Sequence, residues 1–146
     1  MDNTNNDLEV KFNKFLEYDG SLRDILIEKT ELNDWKLLYD YLLRSDYKIE
    51  YIKDNAKQSL PKNIELLFED KDHTHTLSIQ EENIIFNIHM FFDLSRIEID
   101  IDPRDFVANE QYQIIINFMK NINNILSKKI IITNENDHNN IFYSIN

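Results

Sequence analysis

Residues 96–102, Arg-Ile-Glu-Ile-Asp-Ile-Asp, alternate apolar and charged positions and end at Pro103. Side chains of a β-strand point to opposite faces with period two, so one face here carries Ile97, Ile99 and Ile101 and the other Glu98, Asp100 and Asp102. A looser alternation predicts strands over 21–29 and 47–53, and again over 76–81 and 83–92. Glu81-Glu82-Asn83 joins the last two as a hairpin, and a short turn at 93–95 leads into 96–102, predicting a three-strand antiparallel meander. Two terminal strands, 129–133 and 140–144, flank a turn rich in Asn, Asp and His.

Elsewhere the apolar spacing changes to three and four residues. Leu32, Trp35, Leu38, Tyr39 and Leu42 form one stripe, predicting a helix over 31–44 with Thr30 as its N-cap. Tyr112, Ile115, Ile116, Met119, Ile122 and Leu126 form a longer stripe, predicting a helix from an Asn109 cap to Leu126. Leu60-Pro61 opens a short helical turn running through Phe68, because proline fits the first helical position. Residues 8–18 read as an amphipathic piece after a polar, frayed 1–7. The predicted class is α+β: a mostly antiparallel sheet of about five to seven strands with two main helices packed on one face. No repeat or linker divides residues 1–146, which read as a single domain.

Composition narrows the chemistry. With 42% hydrophobic and 12% aromatic residues, the chain can build a core despite 29% charged residues. Its single glycine rules out glycine-rich phosphate loops, dinucleotide fingerprints and the Gly-x-Ser-x-Gly elbow, and disfavours tight two-residue primed hairpins. The absence of cysteine excludes disulfides, thiolate metal sites and a Cys nucleophile. No apolar leader or membrane-length run is visible, so a cytoplasmic location is expected.

The net charge of −11 is unevenly placed: residues 65–110 carry 3 basic against 12 acidic groups, while 111–146 carry 3 against 2. Phosphates and anionic membranes need a cationic surface, so neither nucleic acid nor a membrane is the expected partner. A concentrated negative field favours fast capture of a basic protein. Solubility alone explains an acidic surface equally well.

Several constellations bear on function. Same-face carboxylates on a strand stand about 6.5–7 Å apart, too far for Glu98, Asp100 and Asp102 to share one hard cation without outside ligands. Asp102, before Pro103, suits a helix cap, and Asp105 the first turn after it. Paired carboxylates also serve glycoside hydrolysis, but that chemistry needs a cleft and one elevated pKa. His73 and His75, with Asp70 and Asp72, could share a zinc ion given a third ligand. His89 reads as a hydrogen-bonded sheet residue, and one of Phe91 and Phe92 borders the acidic face. Trp35 and Tyr39 fall on the core stripe, whereas Tyr41 falls off it and suits an interface. No catalytic residue, metal site or cofactor is assigned. The candidate partner-binding residues are Glu98, Asp100, Asp93, Asp105 and Tyr41.

The order Asp19-Gly20-Ser21-Leu22-Arg23-Asp24-Ile25, Asp34-Trp35, Leu60-Pro61 and Ile97-Glu98-Ile99-Asp100-Ile101-Asp102-Pro103 resembles small bacterial immunity proteins encoded beside polymorphic toxins. The resemblance spans roughly residues 19–133 and carries over no residue role. It implies a cytoplasmic antitoxin that covers the active site of a basic toxin domain, often a nuclease, with the acidic strand standing in for substrate phosphates. The alternatives are a metal-dependent hydrolase using the acidic strand or His73/His75, and a regulatory or adaptor domain whose acidity only keeps it soluble.

Overall fold

In the computed structural model the described residues are 12–17, 20–90 and 93–146. The frayed 1–7 and the Phe91/Phe92 pair expected from the sequence lie outside them, as does part of the amphipathic 8–18 segment, of which 12–16 are helical. Eight strands form one antiparallel sheet: β1 (Arg23–Glu28), β2 (Lys48–Lys53), β3 (Ala56–Gln58), β4 (His75–Glu81), β5 (Ile84–His89), β6 (Arg96–Ile101), β7 (Ile130–Asn134) and β8 (Asp137–Ile145). Their spatial order is β3-β2-β4-β5-β6-β1-β7-β8. The α+β class and the β4-β5-β6 meander follow the sequence pattern, and the sheet exceeds the expected five to seven strands.

The register explains why one face is core. Tyr51, Leu77, Ile88, Ile99, Ile25 and Ile132 pair strand to strand across six strands, and all six are buried. Helices α1 (Leu32–Arg44) and α3 (Tyr112–Leu126) bring the stripes Trp35, Leu38, Tyr39, Leu42 and Ile115, Ile116, Met119, Ile122 into the same cluster. Phe118 of α3 stacks on Phe86 of β5 at 4.0 Å between centroids, so helix and sheet interlock through flat rings as well as branched aliphatics. The Trp35 indole N–H donates to the Leu94 carbonyl at 3.0 Å, tying α1 to the turn before β6.

Local differences from the sequence reading have physical causes. Thr30 does not cap α1. Its hydroxyl donates to the Leu94 carbonyl, and Glu31 caps the helix through a reciprocal box with Asp34. Pro61 starts no helix; α2 is confined to Glu65–Glu69. The long helix begins at Tyr112 rather than Asn109, after a 3-10 turn over Asn109–Gln111. Asp102 does cap, but it caps a 3-10 turn over Pro103–Asp105, accepting from the Arg104 amide at 2.9 Å.

The β2–β3 hairpin turns through Asp54-Asn55, both at positive φ (48° and 67°), so a primed-type turn forms without glycine. Asn and Asp tolerate this region best among residues with a Cβ. Near β8 the register skips Phe142, whose ring turns inward against the Arg23 guanidinium (5.2 Å) and Phe15 (5.8 Å). Arg23, 1% exposed, donates to the carbonyls of Phe15, Glu17 and Ser21 and so fastens the 12–17 segment to the sheet.

Candidate functional site

Both main helices lie on the isoleucine side, which leaves the opposite face of the central strands without a helical cover among the described residues. Two rows cross that face. One runs Thr133, Asp24, Asp100, Asn87, Ser78, Glu50, and the next runs Ile131, Leu26, Glu98, His89, Thr76, Ile52. Asp24 and Asp100 therefore stand directly opposite each other on β1 and β6, a like-charge pairing that destabilises a sheet unless it is compensated.

Two histidines compensate it. His89 Nε2 bonds Asp100 Oδ2, and Asn87 donates to Asp100 Oδ1 at 3.2 Å, so both oxygens of that carboxylate are engaged. The hydrogen bond to Asp100 is the main cause that raises the His89 pKa above the ordinary imidazole value; burial opposes it. On the other side His138 Nε2 lies 3.0 Å from Asp24 Oδ2, while Arg96 Nη2 lies 2.9 Å from His138 Nδ1. A guanidinium only donates, so Nδ1 accepts and the proton of the neutral ring sits on Nε2, pointing at Asp24. The result is a directed chain, Arg96 to His138 to Asp24.

Asp24 is 5% exposed and its carboxyl lies within hydrogen-bond reach of Glu98. Burial raises the Asp24 pKa to about 6; the Glu98 charge adds to the rise, and the hydrogen bond to His138 opposes it. Two carboxyl groups in hydrogen-bond contact are favoured when one carries a proton, and the raised pKa places that proton on Asp24.

Asp24, Glu98 and His138 each offer a ligand atom within 4.8 Å of the others, the set among the described residues that could hold a metal ion. Its geometry serves hydrogen bonding first. The Nε2 lone pair a cation needs is occupied by the proton, and the permanent charge of Arg96 stands on the other ring nitrogen.

Comparison with protein-family models, with curated proteins and with solved structures finds no match in any of the three.

The five residues expected to bind a partner do not form one patch. Glu98 and Asp100 share the helix-free face, half-buried. Asp93 precedes β6 and Asp105 follows it, separated by a strand of about 20 Å. Asp93 is committed to a turn, accepting from the Ser95 amide and hydroxyl, which hold its carboxyl below the usual range. Asp105 is raised by burial first and then by Asp102. Tyr41 belongs to α1, on the other side of the sheet, where it lines a cavity of about 590 Å³ with Tyr47, Gln80, Glu81 and Glu82 among others.

His73 and His75 diverge. His75 points into the core, its side chain wholly buried, with Nδ1 2.6 Å from the Tyr51 hydroxyl and Nε2 3.2 Å from the Asp70 carbonyl. His73 stays at the surface, 2.5 Å from Asp54. Both approach the Asp70 carboxylate, at 3.3 and 3.9 Å. Asp24, Arg96 and His138 were missed as site residues. Asp24 and Arg96 do sit at alternating polar positions of their strands. Across β1 and β6, Asp24 pairs with Asp100 and Leu26 with Glu98, 76 and 72 residues apart in the sequence, a long-range contact that periodicity cannot announce.

Proposed function

We propose that this chain is a binding protein of the immunity type, which captures a basic toxin domain on the helix-free face of its sheet. The observation that carries the reading is the group of carboxylates, Asp24, Glu98 and Asp100, gathered on the face that no helix covers among the described residues. Asp24, 5% exposed, and the half-buried Glu98 lie within hydrogen-bond reach of each other there, and both carry a charge that a basic side chain would offset. Asp100 adds a third carboxylate in the row of Asp24, and a basic side chain set against Glu98 relieves the repulsion that the proton on Asp24 relieves at low pH. The charge of residues 65–110 supplies the field that speeds encounter.

The test uses the product of the adjacent reading frame in the native host. Co-expression should relieve its toxicity and yield a complex on co-purification. The double substitution Glu98→Gln/Asp100→Asn should weaken capture about tenfold or more while the variant stays folded, as read by circular dichroism. Full protection by the double variant, or an adjacent product without toxicity, defeats the reading.

The convergence of Asp24, Glu98 and His138 supports a second reading, a metal-assisted hydrolase. Calorimetric titration with Zn²⁺, Mn²⁺ and Mg²⁺ separates the two: saturable binding lost in His138→Ala favours the hydrolase, and flat titrations remove it.

A further inference from the structure

The end of the helix-free face where β1 leaves and β7 enters carries the opposite charge. A cavity of about 360 Å³ there is lined by Leu26, Glu28, Lys29, Lys128, Lys129 and Ile131. Leu26 and Ile131 are register partners across β1 and β7 and provide an apolar floor, with Leu26 only 2% exposed. Three lysines stand around that floor in a chain whose net charge is −11. Lys128 is fixed in place: its carbonyl accepts from the Asn123 amide at 2.9 Å, and its ammonium lies 3.6 Å from Asp34. Lys29 and Lys129 have no ion-pair partner among the described residues.

The two loops that present these lysines adopt conformations that side chains rarely take. Lys29 and Ser127, neither a glycine, have φ of 59° and 54°. The Lys29 side is pinned next door by Thr30, whose amide donates to the Ser95 carbonyl at 3.1 Å and whose hydroxyl donates to that of Leu94 at 2.6 Å. Such conformations persist where the surroundings over-determine them, and they cluster at binding sites. A second cavity of about 270 Å³ shares Glu28 and Lys29 and adds Asp93, Ser95 and Arg96. Its two carboxylates repel a second acidic group, which restricts the ligand to one anionic head.

From the apolar floor, the lysine rim and a volume within the range of small-molecule sites, about 300–1,000 Å³, we infer that this pocket binds a small amphipathic anion. Its ligand is a compact aromatic or alkyl body carrying a single carboxylate or phosphate monoester. The inference is independent of the toxin-binding reading, because it uses none of Asp24, Glu98 and Asp100.

Phenyl phosphate is the probe, with inorganic phosphate and benzyl alcohol as controls for head and body. Titration followed by methyl ¹H–¹³C spectra should shift the Leu26 and Ile131 methyls saturably, with half-saturation below about 10 mM. Lys29→Gln/Lys129→Gln should weaken that binding about tenfold with unchanged melting, since both side chains are exposed. Either control alone should bind about tenfold more weakly than phenyl phosphate. The inference is overturned by the absence of a saturable shift at those methyls, by equal affinity in the double variant, or by equal affinity for inorganic phosphate.

Discussion

Asp24 shows how one residue joins folding to function. An acid whose pKa the fold raises is held protonated in the native state over a window where the unfolded chain has already lost the proton. Stability contributed by that group is therefore greatest below the unfolded value, near 4, and falls as pH climbs to about 6. Asp24→Asn keeps the shape, lets the amide oxygen accept from His138, and removes the charge facing Glu98. The variant should melt several degrees higher than the parent at pH 7.5 and level with it at pH 4, measured by thermal scans across that range. A variant less stable at pH 7.5 would show that the charge on Asp24 is compensated by groups on its own sheet, and the case for a partner cation would go with it. His89 acts with the opposite charge and the same sense: its raised pKa contributes stability that is complete below the unfolded imidazole value and is lost as pH rises through the folded one.

At the level of elements, the strands and the two long helices were legible because each writes its own period. Ile97, Ile99 and Ile101 fall on the core face as their alternation requires, and Trp35 and Tyr39 are buried on the helical stripe. What failed was punctuation and pairing. Thr30 looks like a cap, but a nearby carbonyl, Leu94 O, competes for its hydroxyl, and Glu31 takes over. Strand β3 escaped notice because its three residues, Ala56–Gln58, are all exposed and carry no alternation. The candidate site was half legible: Glu98 and Asp100 come from one periodic strand, whereas Asp24 and His138 reach them only through the order β6-β1-β7-β8. Asp54-Asn55 offers a test of the turn chemistry that composition argued against. Both residues sit at positive φ, and Asn55 carries a Cβ where glycine needs none. Asn55→Gly converts the turn to Asp-Gly, retains the bonds that Asp54 accepts from Thr74, and should raise stability by a few tenths to about 1 kcal/mol in denaturant titrations. A loss of stability would mean that the Asn55 side chain contributes more than its backbone strain costs.

For the molecule as a whole, the acidic third of the chain does not map to one face. Glu65 and Glu69 belong to α2, Glu81 and Glu82 to the β4–β5 hairpin, and Asp102 is paired with Arg104, while Glu98 and Asp100 stand on the helix-free face. The field of these groups and the contact surface are thus separate properties, and binding kinetics can tell them apart. Charges outside an interface act on a partner at long range through a screening length of about 8–10 Å at physiological salt, so they change how fast it arrives. Charges within the interface act on how long it stays. On the proposed reading, Glu65→Gln/Glu69→Gln should slow association with the basic partner, with a difference that fades as salt is raised, and should leave dissociation unchanged. Glu98→Gln/Asp100→Asn should instead speed dissociation about tenfold at every salt concentration. Surface plasmon resonance over a salt series reads both constants directly. If the two double variants behave alike, the acidity works only as a field, and the face bearing Asp24, Glu98 and Asp100 is not where the partner sits.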